Sequence, residues 1–175
     1  MIKLNYDALV IELTRRCNLH CAHCLRGDAQ DVNISTAVID RIVSNVDNCR
    51  RFAFTGGEPF LALNELEYFI DRIISANVHT ELLSVVTNGT IRDQRVIEAF
   101  KKFCDSGEDR LVSIVISGDR FHDPLESRAT YDFYAELVKD YSRINVSVSH
   151  DFSDTTNKRE TEETYGFYAA GRAKD

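Results

Sequence analysis

Apolar positions along this chain follow two alternating rhythms. Five short runs rich in β-branched residues end in polar groups: Ala8 to Leu13 (ALVIEL), Arg51 to Thr55 (RFAFT), Leu82 to Thr87 (LLSVVT), Leu111 to Ser117 (LVSIVIS) and Ile144 to Ser149 (INVSVS). Each predicts a strand. Between them the spacing becomes helical. Val38, Ile39, Ile42, Val43 and Val46 follow Ser35, and Leu66, Phe69, Ile70, Ile73 and Ile74 follow Asn64. Val96, Ile97, Phe100 and Phe103 follow Asp93, and Tyr134, Leu137, Val138 and Tyr141 form a fourth amphipathic stretch. Ser35 is the expected N-cap of the first stretch, and Asn64 and Asp93 precede the next two. The order βαβαβαβαβ predicts a mainly parallel α/β sheet with crossover helices, doubly wound or bent into a full or partial barrel.

In either architecture ligands collect at the carboxyl ends of the strands. Those ends supply Thr14, Thr55-Gly56-Gly57-Glu58, Thr87-Asn88-Gly89, Ser117-Gly118-Asp119 and Ser149-His150. Any one of these alone reads equally as an ordinary turn. Beyond His150 the pattern fades into polar Asp154 to Glu163 and then Tyr165 to Ala173, where no sixth strand is evident.

Composition narrows the class. A chain of 175 residues that is 43% hydrophobic supports one core, so a single domain over 1–175 is expected. The net charge of −7 disfavours a surface that neutralises many phosphates, and with it tight nonspecific binding to nucleic acid. No apolar run approaches the roughly 20 residues of a membrane helix, and Asp7 and Glu12 interrupt what would be a signal peptide. A cytoplasmic protein is expected. Five cysteines, three of them crowded together, suit metal binding in a reducing compartment better than a disulfide framework.

The crowding lies in residues 17 to 24, CNLHCAHC. On a straight helix Cys17, Cys21 and Cys24 would share one face as a small buried stripe, but Asn18, His20, His23 and the preceding Arg15-Arg16 make a poor core helix. A zinc site with His20 or His23 as fourth ligand is a second reading, although every ligand would then come from one tight segment. An iron–sulfur cluster is a third. A fully ligated cubane takes four thiolates. Cys49 and Cys104 are the remaining cysteines, and each lies beside an apolar or helix-terminal segment, as a buried structural thiol does. Three thiolates without a fourth leave one iron open to an exchangeable ligand, the mark of a catalytic centre.

The spacing Cys17-x₃-Cys21-x₂-Cys24 after a first strand, with His23 before the third cysteine, resembles the radical S-adenosylmethionine enzymes. Thr55-Gly56-Gly57-Glu58-Pro59 resembles that family's second motif, and the two occur in order at successive strand ends. Weaker similarities are Thr87-Asn88-Gly89, Ser117-Gly118-Asp119 with Arg120-Phe121-His122-Asp123, and Gly171-Arg172-Ala173, so the likeness runs from about Leu9 to Ala173. The resemblance implies a partial (β/α)₆-type barrel, minimal or truncated, because the segment for strand six is short and the glycine motif often found at strand five is absent. It implies a [4Fe–4S] cluster on Cys17, Cys21 and Cys24, with S-adenosylmethionine chelating the open iron. Gly56, Gly57 and Glu58 are then expected on the methionine ammonium, Asn88, Ser117 and Asp119 on the carboxylate or ribose, and His23 near adenine. Electron transfer from an external donor of flavodoxin or ferredoxin type would cleave the cofactor to a 5′-deoxyadenosyl radical that takes hydrogen from a substrate.

Within that reading the acidic balance points to a peptide or protein substrate rather than RNA, and an activase for a glycyl radical enzyme is an alternative. A noncatalytic iron–sulfur or zinc binding module on the same fold is the alternative of a different class. His122, His150 and Arg172 receive no role, since a lone histidine on such a rim is as readily a hydrogen-bonded loop residue.

Overall fold

The computed structural model describes residues 3–119 and 121–149. The expected sixth-strand region, Arg120, His150 and Gly171-Arg172-Ala173 lie outside them. Five strands, β1 (Leu4–Thr14), β2 (Val46–Gly56), β3 (Leu82–Thr87), β4 (Leu111–Ser117) and β5 (Ile144–Ser149), form one parallel sheet in the order β1-β2-β3-β4-β5. That sequential order excludes the doubly wound alternative, which requires the strand order to reverse. The sheet is the open wall of an α/β partial barrel.

Helices α1 (Thr36–Asn45), α2 (Leu63–Ser75), α3 (Gln94–Asp105) and α4 (Pro124–Val138) connect the strands. Right-handed crossovers between sequential neighbours place all four on one face, where each packs on the next. That face holds the core. Phe52 and Phe54 of β2 meet Phe69 of α2 edge-on at 5.4 Å, and Leu83, Ile114 and Ile116 are fully buried beside Phe100 and Phe103 of α3. On the opposite face the register aligns Val10, Ala53, Ser84, Ser113 and Asn145 in one row. Val10 there is 68% exposed.

Three element ends follow the expected chemistry, and three depart from it. The Ser35 hydroxyl caps α1 by accepting from the Val38 N–H, and the Asp93 carboxylate caps α3 by accepting from Arg95 N at 2.9 Å. Asp123 caps α4 at 2.8 Å from Leu125 N, just ahead of Pro124. Val46 does not extend α1; it opens β2 opposite Leu4, because an apolar residue at the junction satisfies both periods. Asn64 lies inside α2 rather than before it: Pro59–Ala62 forms a short 3-10 helix whose cap is Glu58, and α2 continues directly from it. Strand β1 also starts earlier than its apolar run, because pairing with β2 extends it over polar Asn5 and Asp7.

Candidate active site

Each strand's carboxyl end contributes to one rim. The chain leaves β1 at Thr14, whose hydroxyl bonds Asn33 Oδ1 at 2.6 Å and accepts from Arg16 N at 3.0 Å, fixing the start of the cysteine loop. Segment 32–34 returns along the outer edge of β1: Arg15 N donates to Val32 O and Ile34 N to Leu13 O, both at 2.8 Å. Residues 17–24 therefore form a stapled loop rather than a helix, with tight turns such as Cys24 N to Cys21 O at 3.1 Å.

The glycines after β2 exist for this loop. A Cβ on Gly57 would overlap the Arg16 carbonyl and come within 2.9 Å of the Cys17 Cβ; one on Gly56 would overlap the Thr14 carbonyl. Gly57 N donates to Thr14 O and Glu58 N to Arg16 O, both at 2.8 Å. The two motifs are thus one packed unit, and the close approach that glycine permits is chain to chain.

Glu58 sits behind the rim. Its carboxylate is fully buried and does not line the cavity. Oε1 accepts from Phe60 N at 3.0 Å and from the Thr87 hydroxyl at 2.8 Å, while Oε2 accepts from Asn88 N at 2.7 Å. Burial pushes its pKa up, and the Asn88 and Phe60 N–H donors oppose the rise. The residue ties the end of β2 to the end of β3.

Beyond β3, Asn88 Nδ2 donates to Asn18 Oδ1 at 2.9 Å and approaches Cys17 Sγ at 3.8 Å, and Asn88 Oδ1 accepts from Thr90 N and its hydroxyl. This amide secures the cysteine loop. Beyond β4, Asp119 Oδ1 holds His122 Nδ1 at 2.7 Å and Phe121 N at 2.9 Å. His122, with a side chain 8% exposed, lines the cavity in its stead. His23 stacks on Phe121 with ring centroids 4.1 Å apart, and its Nδ1 is buried with no hydrogen-bond partner among the described residues.

Helix α4 locks the same rim from behind through three hydroxyls, of which hydrophobic periodicity registers only the Tyr134 side chain. The Ser127 hydroxyl donates to Ser117 O at 2.7 Å, the Thr130 hydroxyl to Gly89 O at 2.5 Å, and the Tyr134 hydroxyl to Ile91 O at 3.0 Å. Ser127 and Thr130 are almost completely buried. Spaced three and seven residues apart, these hydroxyls share one helix face.

The result is an open cavity of about 290 Å³ lined by Cys17, Cys21, His23, Cys24, Arg26, Thr55, Gly56, Gly57, Thr87, Asn88, Ser117 and His122 among others. That is the lower end of the roughly 300–1,000 Å³ typical of ligand pockets. All three cysteines, Gly56, Gly57, Asn88, Ser117 and His23 are brought together on this cavity, and Glu58 and Asp119 stand behind them. Arg26 and His122 line it without having been assigned.

A fold whose sequential parallel strands carry three cysteines and a glycine pair on one rim defines the class, and residues 11–167 match the Radical SAM superfamily. The chain belongs to that superfamily. Two similar proteins are an uncharacterised protein of Methanocaldococcus jannaschii, 32% identical over 67% of this chain and 41% of its own length, and a GTP 3′,8-cyclase of Clostridium perfringens, 31% identical over 66% and 36%. A probable GTP 3′,8-cyclase of Methanocella arvoryzae is 32% identical over 65% and 36%. The chain thus spans well under half the length of these relatives.

Members of the superfamily use a [4Fe–4S] cluster and S-adenosylmethionine, and the donor set here fits them. No disulfide joins the five cysteines, and the three in the loop are partly exposed on a shared cavity. Among the described residues no three His, Cys, Asp or Glu side chains converge on one point as a single zinc ion requires. A cubane instead takes each thiolate on a different iron. His23, at the cavity wall, keeps a buried Nδ1 without a hydrogen-bond partner among the described residues, a polar atom that calls for one.

Proposed function

We propose that this chain is a radical S-adenosylmethionine enzyme core in which Cys17, Cys21 and Cys24 hold a [4Fe–4S] cluster with one iron left for the cofactor. The observation that carries the reading is the convergence of three thiols from one loop with Gly56-Gly57, Asn88 and Ser117 on a single cavity. When bound, cluster and cofactor supply reductive cleavage of the sulfonium to methionine and a 5′-deoxyadenosyl radical that takes hydrogen from a substrate.

The protein's part is positional. Gly56 and Gly57 bring the β2 rim against the cysteine loop, with backbone facing the cofactor's amino-acid end. Ser117 offers a hydroxyl to the ribose or carboxylate, Asn88 holds the loop in register, and His23 stacked on Phe121 lies toward adenine. An external donor of flavodoxin or ferredoxin type supplies the electron, and residues 1–175 act as one core domain.

The −7 balance supports a peptide or protein substrate, whereas the similarity to GTP 3′,8-cyclases supports a nucleotide. Anaerobic reconstitution followed by dithionite and S-adenosylmethionine tests the core reading: 5′-deoxyadenosine and methionine are expected. A loaded cluster that yields neither identifies the noncatalytic binding module instead. Adding GTP or a peptide library to the same assay, and following consumption by mass spectrometry, separates the two substrate classes.

A further inference from the structure

The cavity contains a cation that neither motif accounts for. Arg26 is the only lysine or arginine among the described residues lining it. Its Nε donates to the Gly56 carbonyl at 3.1 Å, and Nη1 pairs with the Glu12 carboxylate. Glu12 also takes Arg15 Nε at 3.0 Å, so two guanidiniums share one carboxylate and the group keeps a net positive charge. A guanidinium offers five N–H donors in a planar fork, and Nη2 has no partner among the described residues.

Of the three groups expected on the cofactor's carboxylate or ribose, only Ser117 lines the cavity without a further commitment of charge or amide, and a hydroxyl brings no positive charge. Asp119 is itself an anion, committed to His122 and Phe121, and the Asn88 amide is committed to the cysteine loop. A carboxylate entering this cavity finds its complementary charge at Arg26, beside the Gly56-Gly57 backbone that would meet the neighbouring ammonium.

We propose that Arg26 binds the α-carboxylate of the ligand through its open edge, with Glu12 as the positioning residue that aims the guanidinium. This rests on the reading of the cavity as the S-adenosylmethionine site. The structural alternative is that Arg26 only clamps Gly56 to the end of the cysteine loop.

The test is a cross of two ligands with three proteins, all reconstituted anaerobically and matched for iron content. S-adenosylmethionine and its decarboxylated form, which differ only in the carboxylate, are measured by competition binding on wild type, Arg26→Gln and Arg26→Lys. Loss of a charge-assisted pair predicts that Arg26→Gln weakens S-adenosylmethionine by about tenfold or more. The decarboxylated ligand should change less than about twofold, and Arg26→Lys should recover part of the loss. Equal weakening of both ligands assigns Arg26 to the clamp and overturns the proposal, as does no weakening of either. Wild type that carries a cluster but binds no S-adenosylmethionine refutes the assignment of the cavity instead, a distinguishable result.

Discussion

The same side chain serves two purposes in this molecule. Cys49 on β2 and Cys104 on α3 are fully buried, each within reach of a backbone carbonyl, that of Arg51 at 3.2 Å and that of Arg143 at 3.8 Å. Burial pushes the thiol pKa of Cys49 up and that of Cys104 to about 11. Cys17, Cys21 and Cys24 lie partly exposed on the carboxyl rim. Cys49 lies seven residues before Gly56 along the same strand, about 23 Å at the usual rise. What separates the three thiols proposed as ligands from the other two is placement: a thiol is reached readily where the chain turns in a polar rim, and least within an apolar core.

The sharpest way to break that contrast is to exchange its members. Cys21→Ala should abolish cluster formation, read as iron per chain and visible absorbance after anaerobic reconstitution. Cys49→Ala and Cys104→Ala should keep full iron and lose only about 1–2 kcal/mol of stability in urea titrations. Loss of the cluster in either of these would mean a fourth protein thiolate and no room for the cofactor.

Next in size is the packing that holds the loop. Gly57→Ala drives a methyl group into the Arg16 carbonyl and should cost about 3 kcal/mol together with cluster loading. Gly27→Ala meets nothing within 4 Å and carries only the strain of its positive φ of 76°, about 1 kcal/mol. Equal losses of stability would mean that the Gly57 backbone does not pack tightly on the Arg16 carbonyl.

Glu58 sharpens the comparison through pH. Its raised pKa means that the folded state holds the proton more tightly than the unfolded chain does. Its contribution is therefore fully present below the unfolded value and is lost as pH rises through the folded one, about 1.4 kcal/mol for each unit of separation. Glu58→Gln should lack this dependence, so wild type should lose stability relative to the variant as pH climbs above the ordinary glutamate range. A constant difference across that range contradicts the burial argument. The smallest effect is chemical: in cluster-free protein, iodoacetamide at neutral pH should label the three rim thiols before Cys49 or Cys104.

Much of this arrangement is legible in the chain. Strands β3, β4 and β5 have the bounds that their β-branched runs predict, and the caps Ser35 and Asp93 are where polar side chains precede apolar periods. The cysteine spacing and the glycine pair mark the site because those residue types have few structural uses in such a pattern. Less legible is what depends on distant partners. Nothing local tells that Glu58 turns inward to Thr87 and Asn88, or that Asp119 is occupied by His122. The hydroxyls of Ser127 and Thr130 look like a solvated helix face until the rim carbonyls of Ser117 and Gly89 are placed beneath them. Val46 satisfies two periods at once, and only its pairing with Leu4 decides between them.

No helix among the described residues is long and apolar enough to cross a membrane. Electron–nuclear double resonance on the reduced, reconstituted protein tests most directly the proposal that one iron of the cluster takes the cofactor. With S-adenosylmethionine labelled at its amino nitrogen with ¹⁵N and its carboxylate with ¹⁷O, hyperfine coupling from both labels to the cluster is predicted. A reduced cluster that shows neither coupling while the cofactor is bound, or whose fourth iron carries a protein ligand, contradicts the account.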